Sequence, residues 1–440
     1  MTDPTRQLAP DLAVDRLATA ALSAGADIKT ILPAQWPHPA DFPAPPSAAQ
    51  RALWSESDRA ARPERLRKLR ERMASEGVDG YFGLRWEHMR YLTGLPFDDH
   101  EVTGSGDSGK FLVGMDEAWV LADSRYTIAV KREAPGSTLY PIERQLVDHW
   151  PELVATAGVR RVAIEASTIP HLTWERLVAA APDVQLIPIE GWVEAQRQLK
   201  DPSEIERVAA ACAVADRALA SLLPSIRPGV TEQDLALDLE WRMRTGGAER
   251  LAFDVACLAG PEAALPHGSP GPRKVELGSV LLFDFGAQVE GYRSDMTRTL
   301  FVGEPRERDS AVYRLVAASQ DVVFERLWED MSAAQGGREL PIGRTYDALA
   351  RAVIEADGRW PVYGHGLGHG IGLATHELPG LGRRSPEEPL PRRTVFSVEP
   401  GIYLEGEMGV RIEDLVALDV DAGRVDRITN FPRDEVVVGI

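Results

Sequence analysis

Cysteine is almost absent from this chain of 440 residues, with Cys212 and Cys257 the two present. That excludes a disulfide framework, and neither residue has a ligand-like CxxC partner, so both are expected as small buried apolar groups in a reducing compartment. Basic charge is also short. Lys and Arg number 49 against 67 Asp and Glu, a formal net charge of −18, which argues against binding nucleic acid through a basic surface. No apolar run approaches the roughly 18 residues that a membrane span needs, and MTDPTRQLAPDLAVD has no basic region leading into an apolar stretch. The expectation is a soluble, cytoplasmic protein with no membrane partner. Internal repeats are missing too.

A hydrophobic content of 44% and a charged content of 26% are ordinary globular values, and the length suits two or three domains. Residues 1–60 look like a proline-rich extension. A short amphipathic helix over 11–23 precedes Pro33, Pro37, Pro39, Pro43, Pro45 and Pro46, a density that favours extended chain lying on a neighbouring surface. Trp36 and Phe42 are candidate docking anchors there; a loosely ordered arm is the alternative. Residues 61–195 read as a smaller α/β domain. A helix over 63–76 carries Leu66, Leu69 and Met73 on one face, and short apolar strands follow near 80–84, 111–113, 119–122, 162–164 and 184–189. His88, His100, His149 and His171 are scattered through it and form no ligand grouping, so each is expected at the surface or as a hydrogen-bonded core residue. Residues 196–440 open with Pro202 at a helix start, then Thr231 with Asp234 at another. After Arg250 the chain becomes strand-rich.

That last stretch holds Asp284, Asp295, His369, Glu399 and Glu413, in the contexts FDFG, SDMTRT, GHGLGHGIG, SVEPGIY and GVRIED. Four carboxylates and one imidazole suit hard or borderline divalent cations, Mn²⁺ or Co²⁺, with Zn²⁺ also compatible. Brought together bare, they would repel: two unit charges about 4 Å apart cost roughly 4 kcal/mol at an effective dielectric near 20. Two divalent ions would cancel that charge, so the natural reading is a two-metal centre. Residues 279–302 read as a hairpin, with Asp284 and Asp295 an odd number of residues apart. A two-residue loop at 289–290 sets Asp284 opposite Asp295, and one at 290–291 sets it opposite Thr297. Either way both aspartates face the same side. Arg411 shares a strand face with Glu413 and is placed to hold a carboxylate. His365 and His369 stand four apart, but glycine at every second position from 364 to 372 rules against a helix, and no Glu follows either histidine, so HExxH zinc-protease chemistry is excluded. A glycine-rich strand or loop that lets backbone pass close to a substrate is expected instead.

Taken together, ALPHGSP, LFDFGAQVEGYRSDMTRT, GHGLGHGIGLATHE, VEPGIY and GVRIED resemble the metal-dependent peptidases of the pita-bread fold. Within them they resemble the Xaa-Pro branch, prolidases and aminopeptidases P. The likeness is close over about 200–440 and looser before it, through RYLTG and ADSRYT. It implies an α/β (α+β) chain in which a pita-bread catalytic domain follows a smaller creatinase-like α/β amino-terminal domain. It also implies two divalent metal ions held by Asp284, Asp295, His369, Glu399 and Glu413, with Asp295 and Glu413 bridging. His267 and His376 match substrate-contacting histidines, His365 a histidine lining the proline pocket, and Tyr403 a tyrosine near the leaving group; Arg411 joins these in the substrate-binding set. A water shared by the two ions would attack the peptide carbonyl, Glu399 would shuttle its proton, and His267 and His376 would stabilise the developing charge.

The implied substrates are short proline-containing peptides, and the implied assembly is a homodimer. Three departures, one of them the proline-rich extension before residue 60, leave dipeptidase and aminopeptidase both open. His88 stands where the family often shows asparagine, and Gly380 stands where some prolidases carry an arginine, with Arg383 and Arg384 following. A catalytically silent pita-bread binding module and a fold-related lyase are the rival readings; creatinase-like members lack the metal set that is intact here.

Overall fold

Helix α1, Ala48–Ser75, starts where Ser47 turns its hydroxyl to accept the N–H of Gln50. It is longer than the 63–76 expected, because packing of Trp54, Arg65, Leu69 and Met73 carries it through Pro63, which forfeits one helical hydrogen bond. The computed structural model describes residues 36–96 and 107–439; the helix expected over 11–23 and His100 lie outside them. The chain divides into two compact units, Ser47–Leu199, and Lys200–Ile440 together with the stretch that ends at Pro46.

In the first unit α1 leads to strand β1, Gly80–Gly83, helix α2, Trp86–Thr93, and strands β2, Lys110–Gly114, and β3, Ala118–Ala122. Helix α3, Thr127–Glu133, β4, Thr138–Pro141, α4, Leu146–Ala157, β5, Arg161–Glu165, α5, His171–Ala180, β6, Gln185–Ile189, and α6, Trp192–Arg197, complete it. The six strands form one mixed sheet in the order β4-β3-β2-β1-β5-β6. Every residue of β1 and β3 is buried, as in a sheet covered on both faces. Phe82 meets Trp150 edge to face at 5.1 Å, among Leu112, Leu121, Leu153 and Ile164. His88 is fully buried, with Nδ1 2.6 Å from Glu165 Oε1, and Glu165 Oε2 accepts the N–H groups of Leu84 and Arg85. It is a hydrogen-bonded core histidine.

The second unit begins with helix α7, Pro202–Leu222, capped reciprocally by Asp201 and Glu204, and α8, Glu232–Thr245, capped by Thr231 and Asp234. The stretch Pro202–Ser225 is long and apolar enough to cross a membrane by composition, but most of it is buried inside this unit, along with Glu204, Arg207 and Asp216. It is a core helix. The arm residues pack on their own chain: Phe42 stacks on Phe431 at 6.3 Å, the Trp36 indole donates to Val437 O, and Arg217 donates to Pro39 O.

Strands β7, Arg250–Leu251, β8, Ala256–Ala259, β9, Val280–Phe285, β10, Ala287–Val289, β11, Tyr292–Arg293, and β12, Met296–Val302, come next. Helices α9, Glu307–Gln335, and α10, Gly343–Asp357, separate them from β13, Gly368–Gly370, β14, Glu377–Leu381, β15, Arg393–Val398, β16, Gly401–Leu404, β17, Met408–Arg411, β18, Asp414–Asp419, β19, Arg424–Arg427, and β20, Val437–Val438. They assemble as sheets β20-β12-β9-β8 and β14-β13-β15-β18-β19, a ribbon β11-β10-β7 and a hairpin β16-β17. Against them α9 and α10 bury Val316, Val323, Leu327, Tyr346 and Ile354, which pack with Phe396 and Val416. Each such side chain contributes about 1.5–3 kcal/mol when fully buried, and Phe396→Ala alone would cost about 3–5 kcal/mol. The two larger sheets meet where Glu413 N donates to Thr297 O at 3.1 Å, and the buried Arg298 guanidinium donates to the carbonyls of both.

Candidate metal centre

That junction is where the acidic residues meet. Val289 pairs with Tyr292 across a loop of Glu290 and Gly291, whose φ values are +48° and +77°, the signature of a type I′ hairpin turn. The same register sets Asp284 opposite Thr297, the second of the two pairings expected. Asp284 comes from β9, Asp295 from just before β12, His369 from β13, Glu399 from the end of β15, and Glu413 from the link between β17 and β18.

Ligand atoms of Asp295, His369 and Glu413 all lie within 4.8 Å of one another. His369 Nε2 is 3.6 Å from Asp295 Oδ2 and 3.5 Å from Glu399 Oε1. Asp284 Oδ2 accepts from Arg411 Nη2 at 2.5 Å. Thr297 donates to Glu413 Oε2 at 2.8 Å, and Ser397 donates to Glu399 Oε1 while its oxygen accepts the His369 N–H. Burial, then the charges of Glu413, Asp284 and Glu399, push Asp295 well above the usual carboxylate range. Burial, then Glu399 and Asp284, does the same to Glu413. Glu399 also moves up, burial outweighing the cations beside it.

One guanidinium, Arg411, faces all four acids, and it leaves two oxygens over: Asp284 Oδ1 and Asp295 Oδ1 are buried without a hydrogen-bond partner. Orphaned buried acceptors in an acid cluster fit cations. The donor set is oxygen with a single imidazole nitrogen, and no thiolate, which suits divalent ions of the hard-to-borderline class.

The residues expected to meet substrate surround this cluster. His365 Nε2 lies 2.9 Å from the Tyr403 hydroxyl, which also accepts from Arg411 Nη1 at 3.1 Å. Arg411 further donates to Pro266 O, next to the exposed His267. The His376 ring sits 4.2 Å from that of His369. His376 is exposed, yet desolvation by the atoms packed around its ring, then the positive charges that His369 and His267 would carry, lowers it to about 4. It is therefore a neutral imidazole near pH 7, able to donate one N–H.

The glycine run forms a strand, as one of the two expectations had it, and its glycines admit close neighbours. A Cβ on Gly368 would lie 1.9 Å from Ser397 O, and one on Gly370 2.2 Å from Leu378 O, whereas Gly364 faces open space. Gly368 and Gly370 let β13 lie close against its neighbouring strands. Gly380 pairs with His369 in the sheet, and Arg383 and Arg384 are exposed. Thr297, Ser397 and Arg298 take part in the site without standing out in the sequence as functional residues. Thr297 and Ser397 each stand two residues from an acid, at strand spacing, which was the available signal.

Residues 206–419 match metallopeptidase family M24, and residues 65–199 match the creatinase/prolidase N-terminal domain. Among curated proteins, an uncharacterised peptidase, YqhT, of Bacillus subtilis is 32% identical over 85% of this chain and 100% of its own. An Xaa-Pro dipeptidase of Pyrococcus furiosus is 30% identical over 84% of this chain and 99% of its own. Among solved structures, an Xaa-Pro dipeptidase from Bacillus anthracis is similar with a TM-score of 0.75 at 32% identity, covering 85% of this chain and 99% of that one. An X-Pro aminopeptidase from Thermotoga maritima has a TM-score of 0.71 at 32% identity, covering 82% and 98%.

Proposed function

The chain belongs to metallopeptidase family M24, and from that premise we propose that it hydrolyses the bond between a first residue and a following proline in short peptides. It is a peptide hydrolase of pita-bread fold preceded by a creatinase-type domain. The observation that carries the reading is the meeting of Asp295, His369 and Glu413 within 4.8 Å, with Glu399 beside them and no ligand of the expected set lost. A silent binding module and a lyase are not favoured by it.

Asp284, Asp295, His369, Glu399 and Glu413 would hold two divalent ions, with Mn²⁺ proposed first and Co²⁺ or Zn²⁺ as alternatives. When bound, the ions would supply a nucleophilic water at neutral pH and polarise the scissile carbonyl. The chain's own groups do the rest. Glu399 moves a proton from the attacking water to the leaving proline nitrogen. His376 donates an N–H to the carbonyl oxygen as charge develops there, and His267 assists from the exposed loop. His365 and Tyr403 hold each other by their 2.9 Å hydrogen bond and frame the proline ring. Arg411 fixes Asp284 and Tyr403 together.

Relatives carrying the names dipeptidase and aminopeptidase resemble this chain at the same identity, so substrate length is tested directly. The full chain, stripped with chelator and reloaded with Mn²⁺, is expected to take up about two ions and to release glycine from Gly-Pro or from Gly-Pro-Ala. A loaded protein that cleaves neither, or one that takes up no ion, would remove the reading. A cytoplasmic setting accords with two buried free cysteines. A homodimer is proposed on the resemblance and is checked by light scattering.

A further inference from the structure

We infer that the buried ion pair between Lys200 and Glu377 positions His376, which makes Lys200 a positioning residue for the proposed reaction; the inference rests on that reading for the role of His376. Lys200 Nζ lies 2.7 Å from Glu377 Oε1, and the two side chains are 1% and 4% exposed. Lysine and glutamate are almost never so fully buried unless paired. A pair of apolar residues in their place is often neutral for stability or better, so a pair kept inside the fold points to a geometric task.

The geometry supplies one. Glu377 adjoins His376 in the chain, and its second oxygen accepts the Ala374 N–H at 3.3 Å. A single carboxylate thus closes the turn 374–377 that carries the imidazole. The turn is also held by Thr375, whose hydroxyl donates to Ala252 O and accepts from Arg293. Gly372 leaves the pair its space: a Cβ there would lie 2.5 Å from Glu377 Oε1 and 3.0 Å from Lys200 Cε. Lys200 is fixed in its turn, since its N–H donates to Arg393 O at 3.0 Å. Arg393 opens β15, the strand that leads to Glu399. One lysine therefore ties the His376 turn, through its ammonium, to the strand that leads to Glu399, through its backbone N–H, and the 4.2 Å spacing of the His376 and His369 rings depends on that tie.

The test uses the full, metal-loaded chain and the double variant Lys200→Met/Glu377→Leu, which removes both charges of the pair together. Hydrogen exchange is read by mass spectrometry on peptides covering 371–381, alongside kcat and KM on whichever of Gly-Pro and Gly-Pro-Ala the parent cleaves. Exchange in the turn is expected to quicken about 10-fold or more while peptides from α9 and α10 keep their protection. A misplacement of about 1 Å can cost on the order of 10²-fold, so kcat should fall by roughly 10- to 100-fold with KM little changed. In a His376→Ala background the same pair of changes should cost less than about 3-fold, because the effect passes through a group already removed. Lys200→Arg should recover part of the loss, and it serves in place of the double variant if that one does not fold. Unchanged exchange in the turn, or an equal loss of kcat without His376, would overturn the inference. A loaded parent inactive on both peptides would remove the proposed function instead, and the exchange result alone would then decide whether the pair holds the turn.

Discussion

Arg411 Nη2 lies 2.5 Å from Asp284 Oδ2, a contact between residues 127 apart in the chain. The same side chain donates to Thr297 Oγ1 at 2.9 Å and to the Tyr403 hydroxyl. It thereby occupies one oxygen of Asp284, leaves the other facing the acid cluster, and ties the metal-facing and substrate-facing halves of the site. Arg411→Ala is expected to lower kcat/KM on Xaa-Pro substrates by about 10- to 100-fold, the usual consequence of losing a group that orients a metal ligand. Steady-state kinetics with metal content measured in parallel check this, and a change below about 2-fold would show that Asp284 needs no such partner.

Ser397 bonds at once to Glu399 Oε1 and to the His369 N–H. Ser397→Ala removes both contacts without changing volume much. Metal affinity, titrated by calorimetry on stripped protein, should weaken about 10-fold while the fold is retained. Wild-type affinity would assign the serine to packing alone.

Asp216 supplies a pH dependence away from the metal ligands. Burial pushes its carboxyl up to about 6, although it accepts the N–H groups of Asn430 and Phe431. A raised carboxyl pKa means the native state holds the proton more tightly than the unfolded chain, so this stabilisation is full in acid and is lost as pH rises through about 6. The difference from the unfolded value amounts to roughly 3 kcal/mol, of which about 2 kcal/mol falls between about pH 4.5 and 7.5. Asp216→Asn cannot titrate. Its melting temperature should therefore gain on that of the parent as pH rises over this range, and a constant difference would place the proton elsewhere.

Gly368 and Gly364 give a matched pair. Gly368→Ala would drive a Cβ to 1.9 Å from Ser397 O, whereas the space beside Gly364 is open. The first substitution is expected to abolish soluble, metal-binding protein; the second should leave the melting temperature almost unmoved, a change within about 0.5 kcal/mol. Equal behaviour would mean that β13 and β15 can separate without loss.

These residues also mark how far the sequence could be read. The acids were legible because strand alternation and short motifs are local: parity alone put Asp284 and Asp295 on one face. It left two registers open, since Gly291 suits a left-handed turn position and Glu290 does not. The start of α1 carries a local signal, Ser47 with Gln50 three residues on. The Lys200–Glu377 pair had none, because its members lie 177 residues apart and no periodicity links them. The sequence left the arm open between a docking segment and a loose one, because Phe431, the ring that Phe42 meets, stands near the other end of the chain. The glycine run was readable as strand or loop; that it answers to Ser397 O and Leu378 O could be learned only from tertiary approach.

The turn at Glu290 and Gly291 has a consequence for how such chains can change length. Deleting one of these two residues would keep all five proposed ligands, yet move one hairpin arm by a single step and point its aspartate away from the other. Relatives should therefore gain or lose residues elsewhere in this region, and a natural chain altered by one residue here would be a candidate for having given up its ions while keeping its fold.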